Sequence, residues 1–222
     1  MKTLISRSSW KAFSNAAKIP DDGWINVYLS DDELNQLRLL ILQDLQVTED
    51  DYHFNYSRLQ PVILVTATTL LYLGKNVVFV EDQLAKAAKK KHLSLESLGT
   101  IEEEIKAFEK FPIPDQVEAL KYTVNNFKEH LSDYKHLVQY YVQDQDPGKV
   151  QDVILKATNR SKQFQKEYYE TRNEEWIGKM VTMMKQQPTF FALGAAHLHG
   201  KLGLLHLLNQ RGYTLTPGNA FE

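Results

Sequence analysis

Between Asp115 and Tyr141 the residues Val117, Leu120, Val124, Phe127, Leu131, Tyr134, Leu137, Val138 and Tyr141 recur every three or four positions. An α-helix turns once in 3.6 residues, so this spacing gathers them on one stripe and predicts a long amphipathic helix or a pair of helices. Much of the remaining chain repeats the pattern. Ser30-Asp31-Asp32-Glu33 has the form of a capping box, and Leu34, Leu37, Leu40, Ile41 and Leu45 follow at helical spacing, which predicts a helix from about Asp31 to Leu45. Thr48-Glu49-Asp50-Asp51 is a second start signal, and Pro61 opens an apolar stretch that runs to Leu73 and is closed by Gly74. Glu81 to Lys91 has helical spacing of Leu84, Ala87 and Ala88, and Thr100-Ile101-Glu102-Glu103 is another capping box. After a loop at Asp144 to Gly148, the stretch from Val150 to about Gln186 reads as mostly helical.

Two features point to strands instead. Val77 to Val80 is a short β-branched and aromatic run that reads as a strand or as part of one helix with Glu81 to Lys91, and His92 to Ser97 alternates through Leu93 and Leu95. At the end of the chain, Thr189 to Ala196 is an apolar run rich in Phe and small residues, Lys201 to Gln210 is a leucine-rich helix, and Gly212 stops it. Tyr213 to Thr216 then alternates again before Pro217. The plain prediction there is a strand-helix-strand unit.

Composition removes several function classes. With 26 Lys and Arg against 28 Asp and Glu, the net charge is −2, so no global field would hold the chain on nucleic acid or on an anionic membrane. Lys89-Lys90-Lys91 is explained by solvation and by the macrodipole at a helix end. The absence of cysteine excludes disulfides, thiolate zinc sites and cysteine nucleophiles, so a metal here needs His, Asp or Glu. No apolar run is long enough to cross a bilayer, which predicts a soluble chain, periplasmic or secreted if a signal peptide precedes it and cytoplasmic otherwise. Serine-nucleophile elbows, phosphate loops and dinucleotide fingerprints are absent.

The chemistry-bearing stretch is Gly194-Ala195-Ala196-His197-Leu198-His199-Gly200, with two histidines at i and i+2 just past the predicted strand. In extended geometry their rings share a face, and imidazole is the commonest metal ligand. Ligands of α/β sheets sit beyond the carboxyl ends of the strands, where His197 would stand. Each histidine also has a plain structural reading as a hydrogen-bonded or solvent-facing residue. On the preceding helix, Arg172 can bind a carboxylate or phosphate, or simply pair with Glu167 or Glu175. Trp176, Met180, Met183 and Met184 follow helical spacing and predict core packing.

The block from Gly194 to Gly200, followed by Gly203-Leu204-Leu205 and Arg211-Gly212-Tyr213-Thr214-Leu215-Thr216-Pro217, resembles the C-terminal block of the TraB/GumN family, which includes the Tiki proteases. Arg172-Asn173-Glu174-Glu175-Trp176 is similar to that family's Arg-Asn motif, and the likeness extends over most of the chain from Leu29 onward. The resemblance implies a small mixed sheet framed by helices and a divalent metal, zinc or manganese, bound through Gly-x-x-His motifs. His197 and His199 would be the metal ligands, with Arg172, Asn173 and Glu81 as supporting catalytic residues. Only the second Gly-x-x-His motif is present, since Met1 to Tyr28 holds no histidine, and Gly99 stands where relatives have a glutamate.

Together these readings predict a predominantly helical α/β (α+β) fold with a small mixed β-sheet and a C-terminal strand-helix-strand unit. A single domain would span residues 1–222, N-terminally incomplete, with residues 101–186 as a helical insertion. Two functions are expected from the resemblance: a metal-dependent, peptidase-like hydrolase, or a non-catalytic protein that sequesters a peptide or small-molecule ligand. A homo-oligomer could complete the site.

Overall fold

The computed structural model describes residues 7–21, 23–74, 76–156 and 161–218. The helix starts predicted at Ser30, Thr48, Pro61 and Thr100 form as read, whereas the helix expected from Lys201 begins at Leu204. Ser30 accepts the N–H of Glu33 while the Glu33 carboxylate accepts the N–H of Ser30 at 2.8 Å, opening helix α2 (Asp31–Arg38) after a first helix, α1 (Arg7–Ala16). Thr48 caps the one-turn helix α3 (Glu49–Asp51), Pro61 begins α4 (Pro61–Leu73), and Gly74 ends it with φ +78°, a value glycine adopts without strain. After α5 (Val80–Lys90) the reciprocal box of Thr100 and Glu103 opens α6 (Ile101–Phe108).

The long periodic stretch is a pair of helices, α7 (Ile113–Asn125) and α8 (Phe127–Val142), separated at Asn126, whose φ of −128° and ψ of 40° break the helical run. Four more follow: α9 (Pro147–Lys156), α10 (Lys162–Gln165), α11 (Arg172–Gln186) and α12 (Leu204–Gln210). Residues 157–160 of the stretch expected to be helical lie outside the described residues. Three π-helical segments, Leu39–Asp44, Tyr52–Tyr56 and Lys166–Thr171, were not legible in the spacing. Each widens the turn to bonds five residues apart, as from Leu45 N–H to Leu40 O at 3.0 Å.

The chain divides into two compact units, Met1–Tyr134 and Lys135–Glu222. In the first, α4 packs along α7, which also meets α2, and α1 packs on α6. Its core is built on Ile19, Ile25, Leu37, Ile41, Leu64 and Leu120. Two buried amides join the helices across it: Gln116 Nε2 donates to Gln60 Oε1 at 3.1 Å and to Phe111 O at 2.8 Å, so neither polar group is left bare. In the second unit, α11 packs against α12, and α9 packs against a 3-10 turn at Ala195–His197. Val150, Ile177, Met180, Leu204 and Leu207 are buried there.

The expected mixed α/β (α+β) sheet is not present. The structure is 68% helical with 1% strand, an all-helical fold, and no sheet forms among the described residues. Their single β-bridge joins Lys18 to Leu59. Val77–Phe79 and Leu93–Ser97 are irregular, with Val78, Phe79, Leu93 and Leu95 exposed, and the C-terminal strand-helix-strand unit is extended segment, 3-10 turn, helix, extended segment. A strand is completed by a ladder to a neighbour, and period-two alternation specifies a face without supplying that neighbour.

Candidate functional site

Arg172 and Asn173 open α11, directly after the π-helical segment Lys166–Thr171. The side chain of Asn173 is buried at 2% exposure and reaches the turn that carries His197, 24 residues further on. Its Nδ2 donates to His197 O at 3.1 Å and to Leu202 O at 2.7 Å. Because carbonyls accept only, those two bonds fix which end of the amide is nitrogen, leaving Oδ1 to accept from His197 Nδ1–H at 2.8 Å. The imidazole is thereby held in one tautomer, with Nε2 as its bare acceptor.

Aromatic rings enclose this pair. The centroid of Trp176 lies 4.7 Å from that of His197, and Tyr169 lies at 5.2 Å. The Arg172 guanidinium sits 4.7 Å over Trp176 and 4.8 Å over Tyr168, so Tyr168, Arg172 and Trp176 alternate along one helical face at a spacing of four. Burial, and then the nearby Arg172 charge, push the His197 imidazole down to about 4, so the ring is neutral at pH 7. Burial pushes the Tyr169 phenol up to about 12, with Tyr168 adding to the rise and Arg172 opposing it. The corner offers one fixed cation, one neutral imidazole and a protonated phenol.

The rest of the turn is braced from α9. Gln151 Nε2 donates to Ala196 O at 2.8 Å and to His199 O at 3.1 Å. At Gly203 a Cβ would run into the His199 carbonyl, a contact no side chain tolerates, so glycine is required there for the backbone to pass.

His197 and His199 differ in burial. The 3-10 turn replaces the extended geometry that would align them, leaving His197 6% exposed while His199 is exposed beside Gly148. Arg172, Asn173 and His197 come together; Glu81 is an exposed residue in the first turn of α5, in the first unit. Trp176, read from its spacing as core, is both core and site wall. Tyr168, Tyr169 and Gln151 were not anticipated, although the i−4 and i+4 positions around Arg172 mark Tyr168 and Trp176 as its neighbours. In the first unit, a shallow depression lined by Gln36, Leu39, Leu40, Asp44, Val124, Asn125 and Phe127 holds only one charged group.

The model of the TraB/PrgY/gumN family matches residues 6–217, which contain this whole constellation. The chain belongs to the TraB/PrgY/gumN family. Comparison with curated proteins and with solved structures gives no match. The divalent metal that the family resemblance implied needs about three protein donors and an open position. Among the described residues no group of three His, Cys, Asp or Glu side chains lies close enough to hold one. Beyond burial, the Arg172 charge also lowers the His197 pKa, an electrostatic surrounding that disfavours a cation at that ring. No helix among the described residues is long and apolar enough to cross a membrane.

Proposed function

We propose that this TraB/PrgY/gumN-family chain is a ligand-binding protein whose Arg172–Asn173–His197 corner receives the carboxylate end of a peptide or small molecule. The observation that supports it is the Arg172 guanidinium stacked over Tyr168 and Trp176 beside a neutral, buried imidazole. The rings restrict the guanidinium and shield it from water on their side, which strengthens a charge-assisted hydrogen bond to an anion. His197 Nε2 can accept from a ligand N–H or O–H, while Asn173 keeps the ring oriented and takes no part in contact itself. Neutral His197 adds no charge of its own, so the recognition charge rests on Arg172.

A pool of random octapeptides with free C-terminal carboxylates, applied to the purified chain, tests the reading. Binding should weaken roughly 10- to 100-fold in Arg172→Gln, the worth of a hydrogen bond to a charged group. Peptides that bind parent and variant equally would remove the corner from recognition. The metal-dependent hydrolase is the competing reading, favoured by the bare Nε2 and by the family. Metal analysis by mass spectrometry, on chelator-free parent and His197→Ala, separates the two. Stoichiometric zinc or manganese in the parent, lost in the variant, would install the hydrolase in place of the binding protein.

A further inference from the structure

Thr189 to Gly194 leads straight into the turn that carries His197, with Gly194 O accepting the His197 N–H at 2.9 Å. Burial alternates along it: Thr189, Phe191 and Leu193 are partly buried, whereas Phe190, Ala192 and Gly194 are exposed, Phe190 at 80%. That is the period of a β-strand with one face on the protein and one in solvent. Yet among the described residues no backbone N–H or C=O from Phe190 through Leu193 makes a hydrogen bond. A run of unpaired donors and acceptors in extended register is complementary to one thing, another extended backbone.

We propose that Thr189–Gly194 is a docking edge to which an extended peptide adds as a β-strand, in parallel, with its C-terminal carboxylate delivered to Arg172. The inference rests on the carboxylate-binding reading above and adds how the rest of the ligand is held. Charge sets the direction. A parallel strand ends its chain at the Gly194 end, beside His197, whose ring lies 4.7 Å from that of Trp176, over which Arg172 sits at 4.7 Å, whereas an antiparallel one would bring an ammonium group there. Six residues of strand extend about 20 Å, enough to pair with a peptide of five or six residues. Main-chain bonds then supply affinity with little demand on sequence, and alternate side chains of the peptide meet Phe190 and Ala192 on the exposed face.

Amide hydrogen exchange on the full chain, with and without the tightest binder from the octapeptide pool, tests this. In the free chain the amides of Phe190 to Leu193 should exchange at nearly unstructured rates. With peptide at a hundred times its Kd, alternate amides of one edge should slow by up to about 100-fold. N-methylating alternate amides of the peptide should abolish binding in one of the two registers and spare it in the other, and C-terminal amidation should weaken it at least tenfold. A peptide that binds in an Arg172-dependent way without protecting these amides overturns strand addition and leaves the corner's role intact. No binder from the pool overturns both. Amides already protected in the free chain, or protected increasingly with protein concentration, show the edge paired within the chain or with a second copy, and overturn the proposal directly.

Discussion

Asn173 satisfies three groups with one amide, and the substitution Asn173→Ala strips them all at once. The carbonyls of His197 and Leu202 and the His197 Nδ1–H would be left without their partner in a buried place. We expect a loss of about 3 kcal/mol, seen as a lower urea midpoint with unchanged slope; a loss under about 1 kcal/mol would mean that water replaces the amide freely. His197 makes stability depend on pH. Its folded value is about 4 against 6.5 for the free group, so between those limits the unfolded chain binds the extra proton. The contribution is complete above pH 6.5 and is lost as pH falls through 4, on the order of 3 kcal/mol in all. His130, also pushed down by burial, slopes the same way, with Asp133 opposing it. The informative measurement is therefore the difference between the parent and His197→Gln, whose curve should be flatter across that window. Equal slopes would show that the ring is solvated.

Elements divide by whether their determinants are local. The α6 cap joins Thr100 to Glu103, three residues away, and such a bond can be read from a four-residue pattern. Thr100→Ala should cost about 1 kcal/mol, measured by chemical denaturation, with Thr100→Ser close to neutral. The turn from His199 to Gly203 is a different case. Nothing in its spacing announces that Gly203 lies against the His199 carbonyl, because the clash exists only in the folded turn. Gly203→Ala must push that backbone aside and with it the turn bearing His197. A cost of about 3 kcal/mol is expected, together with weaker peptide binding; full affinity in a folded Gly203→Ala protein would separate the turn from the site. The π-helical segments were equally hidden, since the wider turn depends on which carbonyl each N–H finds in the folded helix, and residue types alone do not announce it. The one at Lys166–Thr171 precedes Arg172 and helps bring Tyr168 and Tyr169 to its side of α11.

At the scale of the whole molecule, far-ultraviolet circular dichroism should show the double minimum of a helical protein, with content near 68%. A spectrum dominated by a single sheet-type minimum would restore the mixed fold that the alternating segments predicted. That prediction failed for a definable reason. Tyr213–Thr216 carries the alternation of a strand and Thr189–Ala196 is an apolar run, but such patterns describe faces, and a sheet requires two backbones brought edge to edge. By itself, the amino-acid order determined where helices start, stop and turn their apolar sides, because those bonds and contacts join residues no more than about four apart. It also offered Arg172 and His197 as candidates, to which the family resemblance added Asn173. Only the tertiary structure decided that Asn173 would grip His197 across 24 residues, that His197 would be buried while His199 stays exposed, and that the extended segments would form no ladder. Such outcomes depend on which surfaces the collapsed chain brings together, and no local period encodes that choice.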